Sequence, residues 1–213
     1  FGLLVTVACG FAHSVLASYS AFSPLPQSVG LPVNSPDNES AASLAPNGLS
    51  LYFSSNRAGS IGSIDIWVSQ RATLSAAWGT PQNVTAVNSA NNENFPSISP
   101  DGKTLFFSCS CPDAFGATDI YMSTRTNPTD DLGWSAPVNL GPVINTADGE
   151  VGASYFENPT NGTGILYFTS NRSGGLGDED FYQSTRNANG TFNAPTNVAA
   201  LNSPFLDRGL NVS

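Results

Sequence analysis

The chain repeats itself, and that constrains its fold more than any other feature. Three stretches align with a period of about 57 residues, the mark of one supersecondary unit stacked on copies of itself. The first carries Glu39, Pro46-Asn47-Gly48, Leu51-Tyr52-Phe53-Ser54-Ser55-Asn56-Arg57 and Asp65-Ile66-Trp67-Val68-Ser69-Gln70-Arg71. The second carries Glu93, Ser99-Pro100-Asp101-Gly102, Leu105-Phe106-Phe107-Ser108 and Asp119-Ile120-Tyr121-Met122-Ser123-Thr124-Arg125. The third carries Glu150, Leu166-Tyr167-Phe168-Thr169-Ser170-Asn171-Arg172 and Asp180-Phe181-Tyr182-Gln183-Ser184-Thr185-Arg186. Each closes on an aromatic and a Pro-x-Asn step: Trp78 with Pro81 and Asn83, Trp134 with Pro137 and Asn139, Phe192 with Pro195 and Asn197.

Within a unit the apolar runs are short and strand-like, and helical periodicity is missing over any useful length. Asn47-Gly48 and Asp101-Gly102 sit between such runs and predict two-residue hairpins, because these residues tolerate φ > 0. The third unit has a longer loop there, Asn158 to Gly164, and a Gly-rich hairpin, Ala58 to Ser63 in the first unit and Ser173 to Gly177 in the third, leads into the Asp-aromatic strand. Four strands per unit at a fixed period read as propeller blades. The expectation is an all-β, partial β-propeller over residues 22–213. Its three complete four-stranded antiparallel blades span about 35–88, 89–145 and 146–202. Pro26-Gln27-Ser28-Val29 matches Pro81-Gln82-Asn83-Val84, so an outer strand is expected at the N-terminus. Residues 203–213 match the start of a unit, so an inner strand is expected at the C-terminus. By this phase the chain is a fragment of a larger ring.

Composition removes several functions. Sixteen acids against seven bases give a net charge of −9 in 213 residues. That leaves no basic footprint for nucleic acid and, with a single lysine, no polybasic membrane patch. The one histidine, His13, excludes His-based triads and zinc clusters. Phe1 to Ala12 is apolar and uncharged, like the core of a secretory signal, with cleavage expected before Ser18 and residues 1–21 forming the leader remnant. A lipoprotein box ending at Cys9 and an uncleaved anchor are the rival readings. No membrane span is expected in the mature chain, since the apolar run falls short of the ~20 residues a span needs.

Export places Cys109 and Cys111 in an oxidising compartment. Two residues apart on a strand, their Cα atoms approach the ~7 Å limit for a bridge. A Cys109–Cys111 disulfide therefore requires the strand to end there. Two thiols or an intermolecular partner are the alternatives, and with no further Cys or His expected in the mature chain no metal site is expected.

Ser99-Pro100-Asp101-Gly102-Lys103-Thr104-Leu105-Phe106-Phe107-Ser108 resembles the repeat signature of the TolB-like, WD-like β-propeller family of bacterial envelope proteins. Ser55-Asn56-Arg57 and Ser170-Asn171-Arg172, each followed by an Asp-aromatic strand, and the Trp134 to Gly141 element extend the likeness over about residues 24–213. The resemblance implies a propeller at the periplasm or cell surface that binds a protein or a cell-wall glycan. It also implies that such a propeller is often one module beside an envelope-anchoring domain. The third unit departs from the pattern by lacking Pro-Asp-Gly, and the second has Cys111 where the others have Arg57 and Arg172.

An acid follows an Asn by five residues in every unit: Glu39, Glu93, Glu150 and Asp207. At the start of the innermost strand these would ring the channel mouth. There they would hold a cation such as Ca²⁺ or a partner's basic group, or else accept backbone N–H bonds from an adjacent blade. Asp65 and Asp180 open the third strand opposite Arg57 and Arg172, which predicts Asp65–Arg57 and Asp180–Arg172 pairs. Ca²⁺ at Asp178-Glu179-Asp180 is the rival there. The recurring aromatics are expected in the core, Trp78 and Trp134 excepted. No catalytic residue and no cofactor is assigned. The reading is a non-enzymatic binding scaffold; the alternative is a propeller glycoside hydrolase or lyase, which would use carboxylates that do not repeat. Those are Asp113, Asp130, Asp131, Glu157 and Glu179.

Overall fold

A computed structural model describes residues 28–158 and 160–210. The leader lies outside the described residues, as does the beginning of the expected N-terminal strand.

Three four-stranded antiparallel sheets follow one another, each inside one repeat. The first is β1 (Glu39–Leu44), β2 (Ser50–Ser55), β3 (Asp65–Gln70) and β4 (Gln82–Asn83). The second is β5 (Glu93–Ile98), β6 (Thr104–Cys109), β7 (Asp119–Thr124) and β8 (Val138–Asn139). The third is β9 (Glu150–Glu157), β10 (Gly164–Ser170), β11 (Asp180–Thr185) and β12 (Thr196–Asn197). Strand order equals chain order in every sheet, the up-and-down meander of a propeller blade. No helix occurs among the described residues, so none is long and apolar enough to cross a membrane.

The hairpins form at the expected places but not as two-residue turns: residues 45–49 separate β1 from β2 and residues 99–103 separate β5 from β6, with positive φ at the glycine alone. Gly48 (φ 68°) turns β1 into β2 and Gly102 (φ 69°) turns β5 into β6. β2 and β6 are buried throughout because both their faces meet protein, whereas Ile165 and Tyr167 of β10 are half-buried. Successive side chains of a strand point oppositely. Accordingly Leu105 and Phe107 pack with Tyr52, Ile66 and Val68 of the first blade, whereas Phe106 packs with Tyr155, Leu166 and Phe168 of the third. One strand thus supplies both seams. Trp134 lies in the link between β7 and β8 yet is buried in the first of these cores, in contrast to its expected exemption from core packing, and half-buried Trp78 packs against the cluster that holds Phe53 and Trp67.

Polar contacts repeat along the seams. The N–H groups of Glu93, Glu150 and Asp207 donate to the carbonyls of Ile64 (3.0 Å), Thr118 (2.8 Å) and Glu179 (2.9 Å) of the preceding blade. Gly62, Gly116 and Gly177 lie against the backbone of the next unit's link so closely that a Cβ at any of them would collide with it.

The two outlying strands do not form among the described residues. Residues 28–38 are turns and bends, and Leu206 makes a single parallel bridge to Glu179. A strand needs a neighbour to take its hydrogen bonds, and no fourth sheet stands beside either segment.

Candidate functional site

Glu39, Glu93 and Glu150 open the inner strands, yet neither they nor Asp207 line the central cavity. Their carboxylates fold back on the link before the strand and accept from the residue four earlier. Glu39 takes Ser35 N–H (2.9 Å) and O–H (2.6 Å); Glu93 takes Ser89 N–H (3.0 Å) and O–H (2.6 Å). Glu150 takes Thr146 N–H and O–H (both 2.7 Å), and Asp207 takes Ser203 N–H (2.6 Å) and O–H (3.0 Å). The donors belong to the local link rather than to a neighbouring blade's strand. The channel-mouth ring is therefore corrected: these carboxyls clamp the link, and Glu93 and Glu150 are 1% and 0% exposed.

The Asp–Arg pairs are corrected too. Arg57 reaches Glu39 (2.9 Å) and Arg172 reaches Glu150 (3.1 Å). Asp65 instead accepts the N–H groups of Ile61 (2.6 Å) and Gly62 (2.9 Å) and the Asn83 amide (2.6 Å); Asp119 does the same with Phe115, Gly116 and Asn139. Asp180 holds Leu176 N–H (2.6 Å), but its Oδ1 and Asn197 Nδ2 have no partner. The physical reason lies in the register. Ser55 opposes both Glu39 and Asp65, so Arg57, two residues on, could turn to either. Asp65 is bound to its own hairpin, and Arg57 instead joins Ser35 and Ser55 on the Glu39 carboxylate. The three acids at 178–180 diverge in the same way: Glu179 pairs with Arg208, Asp180 faces its hairpin and Asp178 is exposed.

The middle blade breaks this pattern. In the outer two, the acid is also bonded by a serine hydroxyl, Ser55 (3.1 Å) or Ser170 (2.7 Å). Cys109 replaces that serine and Cys111 replaces the arginine, and the two sulfurs are joined. Strand β6 ends at Cys109, and the turn beyond it brings the Cα atoms to 5.2 Å, which meets the geometric requirement. Glu93 Oε1 lies 3.2 Å from Cys109 Sγ and 3.8 Å from Cys111 Sγ. The same acid on the same serine clamp therefore behaves oppositely in two blades. Burial pushes the Glu93 carboxyl up, against the Ser89 bonds and with help from the Asp65 charge. Burial also acts upward on Glu39, but Ser35, Ser55 and Arg57 outweigh it and hold Glu39 below the usual carboxylate range.

One acid outside the repeat pattern, Asp131, is the centre of a second buried cluster. It joins Ser50 (2.5 Å), Tyr52 (2.7 Å) and Gln70 (2.6 Å) of the first blade to Arg125 (2.8 Å) of the second. Burial works to raise its pKa, and these four donors overcome it and lower it. Arg125 also lies 4.3 Å over the Trp134 ring, as Arg71 lies 4.4 Å over Trp78, a repeated cation–π contact that the sequence reading did not foresee.

The cavity itself, about 470 Å³, lies between β1, β5 and β9. The third residue of each strand sits in a left-handed bulge: Ala41 (φ 50°), Phe95 (φ 55°) and Gly152 (φ 64°). Left-handed backbone is uncommon for residues with a Cβ, and such strain concentrates where a chain binds something. The N–H groups of Phe95 and Gly152 donate to Ser54 and Ser108 of the preceding blade (both 3.2 Å), which holds the bulges in place. Phe95, Tyr155, Leu44 and Ser97 are among the side chains lining the space; no carboxylate or cationic group lines it among the described residues.

No protein-family model and no curated protein matches the chain. Solved structures do match. TolB from Agrobacterium tumefaciens aligns over 77% of this chain and 49% of its own length, with 16% identity and a TM-score of 0.49. The α-L-arabinofuranosidase PaAbf62A from Podospora anserina aligns over 75% and 50%, with 11% identity and a TM-score of 0.48. A GH93 α-L-arabinofuranosidase from Fusarium graminearum aligns over 70% and 44%, with 15% identity and a TM-score of 0.46. The chain spans about half the length of these proteins.

Proposed function

We propose that the chain is a TolB-like binding scaffold of the bacterial envelope, exported and non-enzymatic, which presents the central cavity to a wall glycan or a protein segment. The observation that carries this reading is the lining of the cavity. Half-buried Phe95 supplies an aromatic side chain, Ser43 and Ser97 supply hydroxyls, Tyr155 lies in the wall with its ring stacked on Phe106, and no paired carboxylates face the space among the described residues. An aromatic platform with a few hydroxyls suits an uncharged polar ligand. Glycoside hydrolysis by the usual route needs two carboxyls about 5–9.5 Å apart across the scissile bond. Glu150 and Asp131 are instead bonded by several protein donors, and Glu93 is set against the disulfide. An anchoring domain outside these 213 residues is part of the proposal.

The test is calorimetric titration of the chain with soluble peptidoglycan fragments and with neutral wall polysaccharide, repeated with Phe95→Gly. Saturable binding that Phe95→Gly weakens about tenfold, a loss typical of one ring contact, is the expected result. Release of reducing sugar or unsaturated product from either polymer would overturn the non-enzymatic reading.

A further inference from the structure

We propose that Cys109–Cys111 is a thiol–disulfide exchange site, with Cys111 the sulfur attacked by an incoming thiol and Glu93 the proton donor to Cys109. Three observations place these roles. The first is access: Cys111 is half-buried whereas Cys109 is 0% exposed, so an incoming thiolate meets Cys111. The second is position. Glu93 Oε1 sits 3.2 Å from the sulfur that must leave, within the reach expected of a proton donor. The third is the replacement pattern. Cys109 and Cys111 occupy the two positions whose side chains bond the acid in the other blades, Ser55 with Arg57 and Ser170 with Arg172. The middle blade thus exchanges a serine–arginine brace for a disulfide against a buried carboxyl.

That exchange changes what the carboxyl can do. Around Glu93 stand Ser89, the two sulfurs and the Asp65 carboxylate of β3; no ion pair reaches it among the described residues. A buried acid without a cation keeps its proton to higher pH, so it can donate where an ordinary carboxyl is already ionised. In the first step a substrate thiolate attacks Cys111 Sγ. The Cys109–Cys111 bond breaks with its electron pair on Cys109, Glu93 passes its proton to that sulfur, and the substrate is held as a mixed disulfide on Cys111. In the second step a second substrate thiolate attacks the substrate's own sulfur and releases Cys111 as a thiolate, which takes a proton from water. The substrate leaves oxidised by two electrons, and the chain is left as a dithiol with Glu93 ionised. An exogenous disulfide runs the sequence backwards and restores the bridge. The substrate class is an accessible thiol, supplied by a small molecule or by an exported peptide.

The test uses the full chain, folded, with glutathione in one arm and a cysteine-containing unfolded peptide in the other, quenched in acid and mapped by mass spectrometry. The expected adduct is on Cys111, in either arm or both; the arm that reacts identifies the source of the thiol. Glu93→Gln should slow exchange about tenfold or more at neutral pH and flatten its pH profile, since positioned proton transfer is typically worth 10²–10⁴-fold. Adduct mapping on the unaltered chain stands even if that variant folds poorly. An adduct on Cys109, a disulfide inert to both thiols in the folded chain but reactive in urea, or a folded Glu93→Gln chain with unchanged rate and pH profile would overturn the assignment.

Discussion

Replacing Gly116 with alanine should open the seam between the second and third blades. A Cβ at Gly116 would collide with Asp148 O and stand 2.7 Å from Asp148 C and 2.8 Å from Thr146 O, where real Cβ contacts do not fall below 3.0 Å. All three atoms are backbone, so no side chain can swing aside. Gly116 is not in the left-handed region, so the added methyl brings no φ penalty of its own. Relief requires the link to retreat on the order of 1 Å, a distance that a packed interior does not absorb locally. The seam bond from Glu150 N–H to Thr118 O, now 2.8 Å, would then pass beyond hydrogen-bonding length. Overpacking costs about 1–3 kcal/mol and the lost bond about 1 kcal/mol more. The sum, on the order of 3 kcal/mol, corresponds to a melting-point drop of roughly 6–12 °C for a chain of this size. The matched control is Gly149→Ala, where the nearest atom to an added Cβ is Asn171 Oδ1 at 3.4 Å, an ordinary contact. Thermal melts followed by circular dichroism read both variants. A Gly116→Ala chain that melts within a degree of the parent, or a Gly149→Ala chain that falls as far, would refute the close-approach argument.

Other outcomes follow from the same geometry. Ala41→Gly should stabilise by up to about 1 kcal/mol in denaturant titration, because glycine relieves the left-handed bulge that Gly152 already occupies in the third blade. Asp131→Ala should cost about 3–5 kcal/mol in the same titration, because it leaves the buried Arg125 without its counter-charge. Acid titration should separate the carboxyls. Glu39 and Asp131, held low, contribute stability that is present above their unfolded pKa and lost as pH falls through the folded one. Glu93, pushed up, works in the opposite sense: the folded chain keeps a proton that the unfolded chain releases, so its contribution declines as pH rises from the unfolded value through the folded one. Glu93→Gln should therefore flatten the upper limb of the stability profile and Glu39→Gln the lower. Millimolar Ca²⁺ should leave the melting point unchanged, since the repeated carboxylates already accept protein donors; a shift abolished by Glu93→Gln would assign those acids to a cation.

Much of the blade was readable because one residue type repeats for one local reason. Asn47-Gly48 and Asp101-Gly102 specify their turns by backbone chemistry alone, and Leu105-Phe106-Phe107 reads as a strand buried on both faces. What was not readable depends on side-chain direction at strand ends. Arg57 sits nearer in sequence to Asp65 than to Glu39, yet its guanidinium pairs with Glu39 while Asp65 stays on Ile61 and Gly62. The bulges at Ala41, Phe95 and Gly152 share a conformation but no residue type, so the repeat alignment conceals them. Asp131 stood out as an acid outside the pattern, but three of its four partners lie 61 to 81 residues away, on another blade. The cysteine pair was visible as a departure from the repeat. That both cysteines replace the acid's own partners emerges only once Glu39, Glu93 and Glu150 are superposed on their clamps.

The central claim is that the repeated acids and their links join successive blades rather than face a ligand. Amide hydrogen exchange resolved residue by residue tests it most directly. The N–H groups of Glu93 and Glu150 are bonded across the seams to Ile64 and Thr118, so they should exchange as slowly as the middle-strand amides of Phe107 and Phe168, opening only with the whole array. Fast exchange at both positions, beside protected middle strands, would mean that the blades open independently and would contradict the account.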